Sequence, residues 1–138
     1  MRMDRLIVLA LIILVGACAT TSKTEREMTE TMDAWAAHVR WGEIESLVDF
    51  MHPDYLAENP VREMEIERLG LFSVSQYRVR QHLEISGEQA VERVVEIRLY
   101  HRQTAQERVI RHREIWRYDS DMKRWFLHSG LPDPTRRS

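Results

Sequence analysis

The sequence predicts an α+β domain, with N-terminal helices packed on a curved antiparallel sheet of about four strands. Three observations carry that reading. Apolar residues recur at steps of three and four through residues 28–51, the spacing of one helix face. From about residue 65 the period changes to two, the spacing of one strand face. Short turn-forming segments then separate the alternating runs, so consecutive strands should pair antiparallel.

The first seventeen residues stand apart from this domain. Met1 to Arg5 contains two arginines, and "LIVLALIILV", residues 6–15, is uninterrupted apolar. A spanning helix needs about 20 apolar residues, so this run is too short for an ordinary anchor. A charged start, a short apolar core and small residues at its end read as a secretory signal. The "VGAC" at residues 15–18 resembles the lipobox of bacterial lipoproteins, with Val15 where leucine is commonest. That resemblance implies cleavage between Ala17 and Cys18 and acyl chains on Cys18, followed by a tether through residue 23. Ala19 rather than aspartate follows the cysteine, which in that family implies sorting to the outer membrane, on its periplasmic face. One acyl chain binds marginally, whereas two or more anchor stably. Cys18 is the single cysteine. An oxidising compartment therefore supplies no disulfide, and stability must come from the core.

Without the leader 121 residues remain, the size of one compact domain. The leader takes two of the 20 basic and one of the 22 acidic residues, leaving 18 and 21, a net charge of about −3. Mild acidity with interspersed signs argues against a nucleic-acid binder, which would carry a basic stripe. No internal repeat or Gly-rich phosphate loop is present, and no cofactor is expected. The domain should run from 24 to 131, with a tail over 132–138.

"TSKTERE" holds two overlapping capping boxes, Ser22 with Glu25 and Thr24 with Glu27, so a helix should start there. Met28, Met32, Trp35 and Val39 form its apolar stripe, and Trp41-Gly42 breaks it. Ile44, Leu47, Val48 and Met51 make a second short stripe, ended by His52-Pro53 because the residue before proline avoids the helical region. "HPD" at 52–54 is similar to the tripeptide of J-domain cochaperones. The acidic helix before it and the strand-like sequence after it read instead as a helix stop and a turn. Residues 52–63, with two prolines, are expected to connect the layers. Tyr77, Val79, Gln81, Leu83 and Ile85 then alternate, "SGEQ" turns, and Val91, Val95, Ile97 and Leu99 alternate in the next run. After a turn at 103–107 come Ile110, Trp116 and Tyr118. "DSDMK" turns once more before Trp125, Phe126 and Leu127.

This element order, together with "WGEIESLVDFMHPDY", resembles the cone-shaped superfamily of nuclear transport factor 2 and ketosteroid isomerase over residues 24–130. The resemblance implies a cavity between helices and sheet. It does not imply catalysis, since function resides in sites grafted on folds.

The candidate site lies in "VIRHREIWRY", residues 109–118. Val109, Arg111, Arg113, Ile115 and Arg117 share one face, and three arginines mark it as the wet one. His112 and Glu114 therefore point inward, about 6.6 Å apart along the strand, beside Trp116. Arg93 shares the apolar face of the neighbouring run and is placed to meet them. Trp35 and Tyr77 complete the expected lining of the cavity. Such a set suits mutual satisfaction within the core, a grip on a polar headgroup, or acid–base work by a histidine titrating near neutrality. No metal site is expected, because the six histidines are scattered without ligand spacing. The four tryptophans read as core anchors. Trp125 and Phe126 must point to opposite faces, so one is expected outside the helix-packed side, marking a homodimer or partner surface. The function this implies is a membrane-tethered accessory module for an envelope protein or a small apolar ligand. The rivals are a small periplasmic enzyme using His112 and Glu114, and an envelope-assembly scaffold.

Overall fold

The computed structural model describes residues 23–136; Ala17, Cys18 and Ser22 lie outside them. Helix α1 occupies residues 23–41 among the described residues. Its predicted stripe is its buried face, with Met28, Met32, Trp35 and Val39 at 9% exposure or less. Gly42 ends the helix at φ +77°, a left-handed position open to glycine, and the Glu43 N–H caps the His38 carbonyl at 3.1 Å.

The second stripe forms a 3₁₀ helix, Glu45–Phe50, that buries Leu47. The expected connection over 52–63 is a correction: it holds helix α2, Pro53–Glu58, and is followed by α3, Glu63–Gly70. His52 starts α2 as well as ending the turn before it. Its backbone is extended, its ring accepts the Asp54 N–H, and Pro53 takes the first helical position, where a missing N–H costs nothing. Strand sequence therefore begins at Phe72 rather than near residue 65.

Four strands follow: β1 Phe72–Glu84, β2 Ala90–His101, β3 Glu107–Asp119 and β4 Arg124–Leu127. They pair antiparallel in the order β1-β2-β3-β4, as one curved open sheet. The first two turns lie close to where the sequence places them. In the third, the Asp119 carboxylate accepts the N–H groups of Asp121 at 2.9 Å and Met122 at 2.7 Å, closing the loop before β4.

Strand β1 departs from simple alternation. Its register shifts between Val74 and Gln76 and again between Val79 and Gln81. Each bulge inserts one residue and reverses which parity faces inward. Leu83 consequently opposes Glu92 on the outer face, 57% exposed, while His82 opposes Arg93.

The core lies between the helices and the inner face, with Leu47, Val95, Ile97, Leu99, Trp116 and Leu127 fully sealed. Trp41 is the exception among the tryptophans, 76% exposed with the Arg40 guanidinium 6.0 Å from its ring. Trp125 and Phe126 do point to opposite faces, yet both are buried, against expectation. The His52 ring meets Phe126 edge-on at 5.0 Å and the Arg124 guanidinium stacks on it at 4.7 Å. Beyond Leu127 the tail follows the exposed edge of β3, burying Pro132 and Pro134, with Arg108 donating to the Pro134 carbonyl at 3.1 Å. The tail thus covers a strand edge, beginning with the His128 N–H donating to the Ile115 carbonyl at 2.7 Å.

Candidate functional site

Period-two alternation in β3 turns Ile110, His112, Glu114 and Trp116 toward the helices. Cross-strand register then decides their neighbours. Arg93 opposes Glu114, Val95 opposes His112, and Val91 opposes Trp116. On the far side of β2, Tyr77 opposes Ile97. Because of the α1 stripe, Trp35 comes down onto the same spot from above.

Glu114 is completely buried. The Trp35 indole N–H donates to its Oε1 at 2.8 Å, and the Tyr77 hydroxyl donates to the same oxygen. The Trp116 indole N–H donates to Oε2 at 3.1 Å, and the Arg93 Nε stands 3.6 Å from it. Every partner is a donor, and a carboxylate can only accept, so the set suits the ionised acid. Arg93, 6% exposed, supplies the opposite charge that a buried carboxylate requires. Burial, reinforced by the negative charge of Glu114, raises the pKa of Tyr77 far above its ordinary value, which keeps the phenol a donor. Trp35 and Trp116 meet edge to face, with centroids 5.8 Å apart.

Five of the six predicted residues therefore converge on one point. They do so as packed core: the aromatics surround the carboxylate instead of lining space beside it. The cluster ties α1, β1, β2 and β3 together through one side chain.

His112 stands apart from it. Its side chain is half-buried, and its Nε2 is enclosed with no hydrogen-bond partner among the described residues. Burial lowers its pKa to about 4, opposed by Glu114 and assisted by Arg136. The ring is accordingly neutral at physiological pH, and the expected titration near neutrality is corrected. A base for neutral-pH chemistry works best with a pKa near the operating pH, which this imidazole lacks.

A second polar cluster, missed at the level of sequence, joins His52, Asp119 and His128. The His52 Nδ1 accepts the Asp54 N–H at 3.1 Å, so its Nε2–H donates to the Asp119 carboxylate at 2.9 Å. Hydrogen bonds from the Met122 backbone first, and from His52 next, hold the Asp119 carboxyl below its ordinary pKa. His128 stacks on His52 at 4.9 Å, and burial lowers its pKa. The histidine–proline pair signalled a helix boundary, but nothing local signalled a partner 67 positions away.

An open groove of about 580 Å³ lies at the far end of the sheet. Thr24, Met28 and Trp125 form one wall, and the β1–β2 turn with its flanks, residues 84–91, forms the other. Glu25, Glu84 and Glu88 stand at its rim, and Glu88 is tied to Arg117 at 2.8 Å. Among the described residues, no three His, Cys, Asp or Glu side chains converge to hold a metal ion. No helix among them is long and apolar enough to cross a membrane. No protein-family model matches the chain, and no curated protein is significantly similar to it.

Proposed function

We propose that this chain is an outer-membrane lipoprotein, acylated at Cys18, whose single domain is a non-enzymatic accessory or binding module on the periplasmic face. Its occupant would be a partner protein or a small apolar ligand. The observation that carries the module reading is the burial of Glu114 among its donors. The acid most suited to chemistry is sealed, accepts hydrogen bonds from Trp35, Tyr77 and Trp116, and is ion-paired with Arg93 at 3.6 Å. The enclosed, neutral His112 supports the same reading. Binding is left to surfaces such as the groove beside Trp125, whose apolar lining of Met28, Val91 and Trp125 suits an apolar guest.

The cone-shaped architecture of the nuclear transport factor 2 superfamily is part of this proposal. Helices followed by a curved four-stranded sheet support it, as do the short helices α2 and α3 that supply the further helical element. In this chain the expected cone interior would be filled by the Glu114 cluster, so the binding surface would move to its rim.

Native mass spectrometry of the protein purified gently from a periplasmic host tests the module. A stable extra mass, removed by Ile85→Glu in the groove wall, is expected; a clean apo species would leave the scaffold role on the outer surface. Intact mass of detergent-extracted material tests the anchor. Loss of residues 1–17 with acyl mass on Cys18 is the expected result, and an unmodified cysteine would refute it.

A further inference from the structure

The outer face of the sheet, turned away from the helices, bears six arginines and three glutamates on β1–β3. Most of this charge is locally balanced. Arg113 holds Glu92 at 2.7 Å, Arg98 holds Glu107 at 2.7 Å, and Arg117 reaches Glu88 in the turn at 2.8 Å. The central row differs. Glu96 on β2 is opposed by Arg78 on β1 and by Arg111 on β3, while Arg80, at the second bulge, takes its carboxylate at 2.6 Å. One carboxylate stands among three guanidiniums.

Apolar side chains share this face. Leu83 lies on this face and is 57% exposed, and Tyr100 is 40% exposed at the other end of the sheet. The layers are also polarised. Residues 23–71 carry five basic and twelve acidic side chains, whereas residues 72–136 carry twelve and nine. The sheet side is the positive side of the domain. Guanidinium forks match phosphate oxygens bidentately, and exposed tyrosine and leucine interleaved with arginine suit a headgroup layer.

We propose that the outer face of the sheet docks on an anionic lipid surface, with Arg78 and Arg111 engaging lipid phosphates and Leu83 and Tyr100 entering the headgroup layer. A broad fluid surface can follow an open, curved sheet face, and the acidic helical layer would face away from it. A long polyanion wrapping the domain would meet that acidic layer. The inference goes beyond the anchored-module reading and does not need the acyl chains. If both hold, the anchor brings the face to the bilayer and the face sets the orientation of the domain.

The test uses the full chain with vesicles of phosphatidylcholine, with and without one third phosphatidylglycerol. Arginine modification by phenylglyoxal is followed peptide by peptide. Arg78 and Arg111 are expected to react several-fold more slowly on the anionic vesicles, while Arg40 and Arg62 on the helical layer react alike on both. Salt at 1 M, where the Debye length is about 3 Å, should remove the protection. The double variant R78Q/R111Q alters two exposed side chains, and Tyr100 in it should lose its shielding from a water-borne quencher on anionic vesicles. Equal rates on both vesicles would overturn the proposal. So would equal protection by inorganic phosphate or an RNA oligonucleotide without vesicles, or protection that grows with protein concentration in the absence of lipid. Flotation with pure phosphatidylcholine vesicles reports the acyl anchor separately, so failure of the anchor and failure of the face give different results.

Discussion

Two arginine–glutamate pairs occupy neighbouring positions on the same two strands, in opposite surroundings. Arg93 and Glu114 face the helices; Glu92 and Arg113, one residue along each strand, face out. The outer pair has the better geometry, a two-pronged contact with both distances at 2.7 Å. The inner pair meets at only 3.6 Å. Yet the inner pair should matter far more. In water an ion pair replaces good hydration with modest attraction, whereas a buried charge that loses its partners has no water to turn to. The contrast teaches that surroundings, not contact distance, decide what a pair contributes to the fold.

Removing the inner acid should break the comparison most sharply. Glu114→Ala leaves Arg93, the Tyr77 hydroxyl and two indole N–H groups stranded, and is expected to cost about 3–5 kcal/mol in urea unfolding. The double variant Arg93→Met with Glu114→Met should recover only the share owed to the stranded guanidinium, because the Tyr77 hydroxyl and the two indole N–H groups still lack their acceptor. A double variant no more stable than the single would show that the cluster does more than balance charge.

The next effect is read through pH. His112 is held at a pKa of about 4, against about 6.5 in the unfolded chain. The folded-state value is depressed, so the stability is fully present above pH 6.5. It declines as pH falls toward 4, because the unfolded chain takes up the proton first. The loss over that window should reach about 2–3 kcal/mol. His128 shifts in the same direction, so the measurement is the difference between the wild-type profile and that of His112→Phe. Coincident profiles would mean that the ring is open to water.

Tyr77→Phe removes one of the donors to Glu114 and leaves the indoles and Arg93 in place. A loss of about 1–2 kcal/mol is expected, with the fold retained. Arg113→Ala, on the exposed pair, should give the smallest change. It should shrink further in high salt, where surface charges are screened. If Arg113→Ala matched Tyr77→Phe, the distinction between the two faces would fail.

Much of the buried cluster was legible before any coordinates. The three arginines at 111, 113 and 117 marked one face of β3 as wet, which turned Glu114 and Trp116 inward. Arg93 followed from the same parity on β2. The filling of the expected cavity was not legible. That depends on the volumes of Trp35, Tyr77 and Trp116 arriving from three separate elements. The helices at 53–58 and 63–70 were also hidden, because prolines that suit a helix start equally suit a loop.

The sequence by itself determined the order of the layers, the four strands, their turns and the inward side of β3. These follow from side-chain periodicity, which each segment carries in its own residues. Only the tertiary structure decided what met across the sheet. The bulges in β1 turned Leu83 outward against its own alternation, the Met51–His52 segment came to cover Phe126, and Asp119 found His52. Those outcomes depend on register and packing between residues far apart in the chain, and a local period holds no record of either.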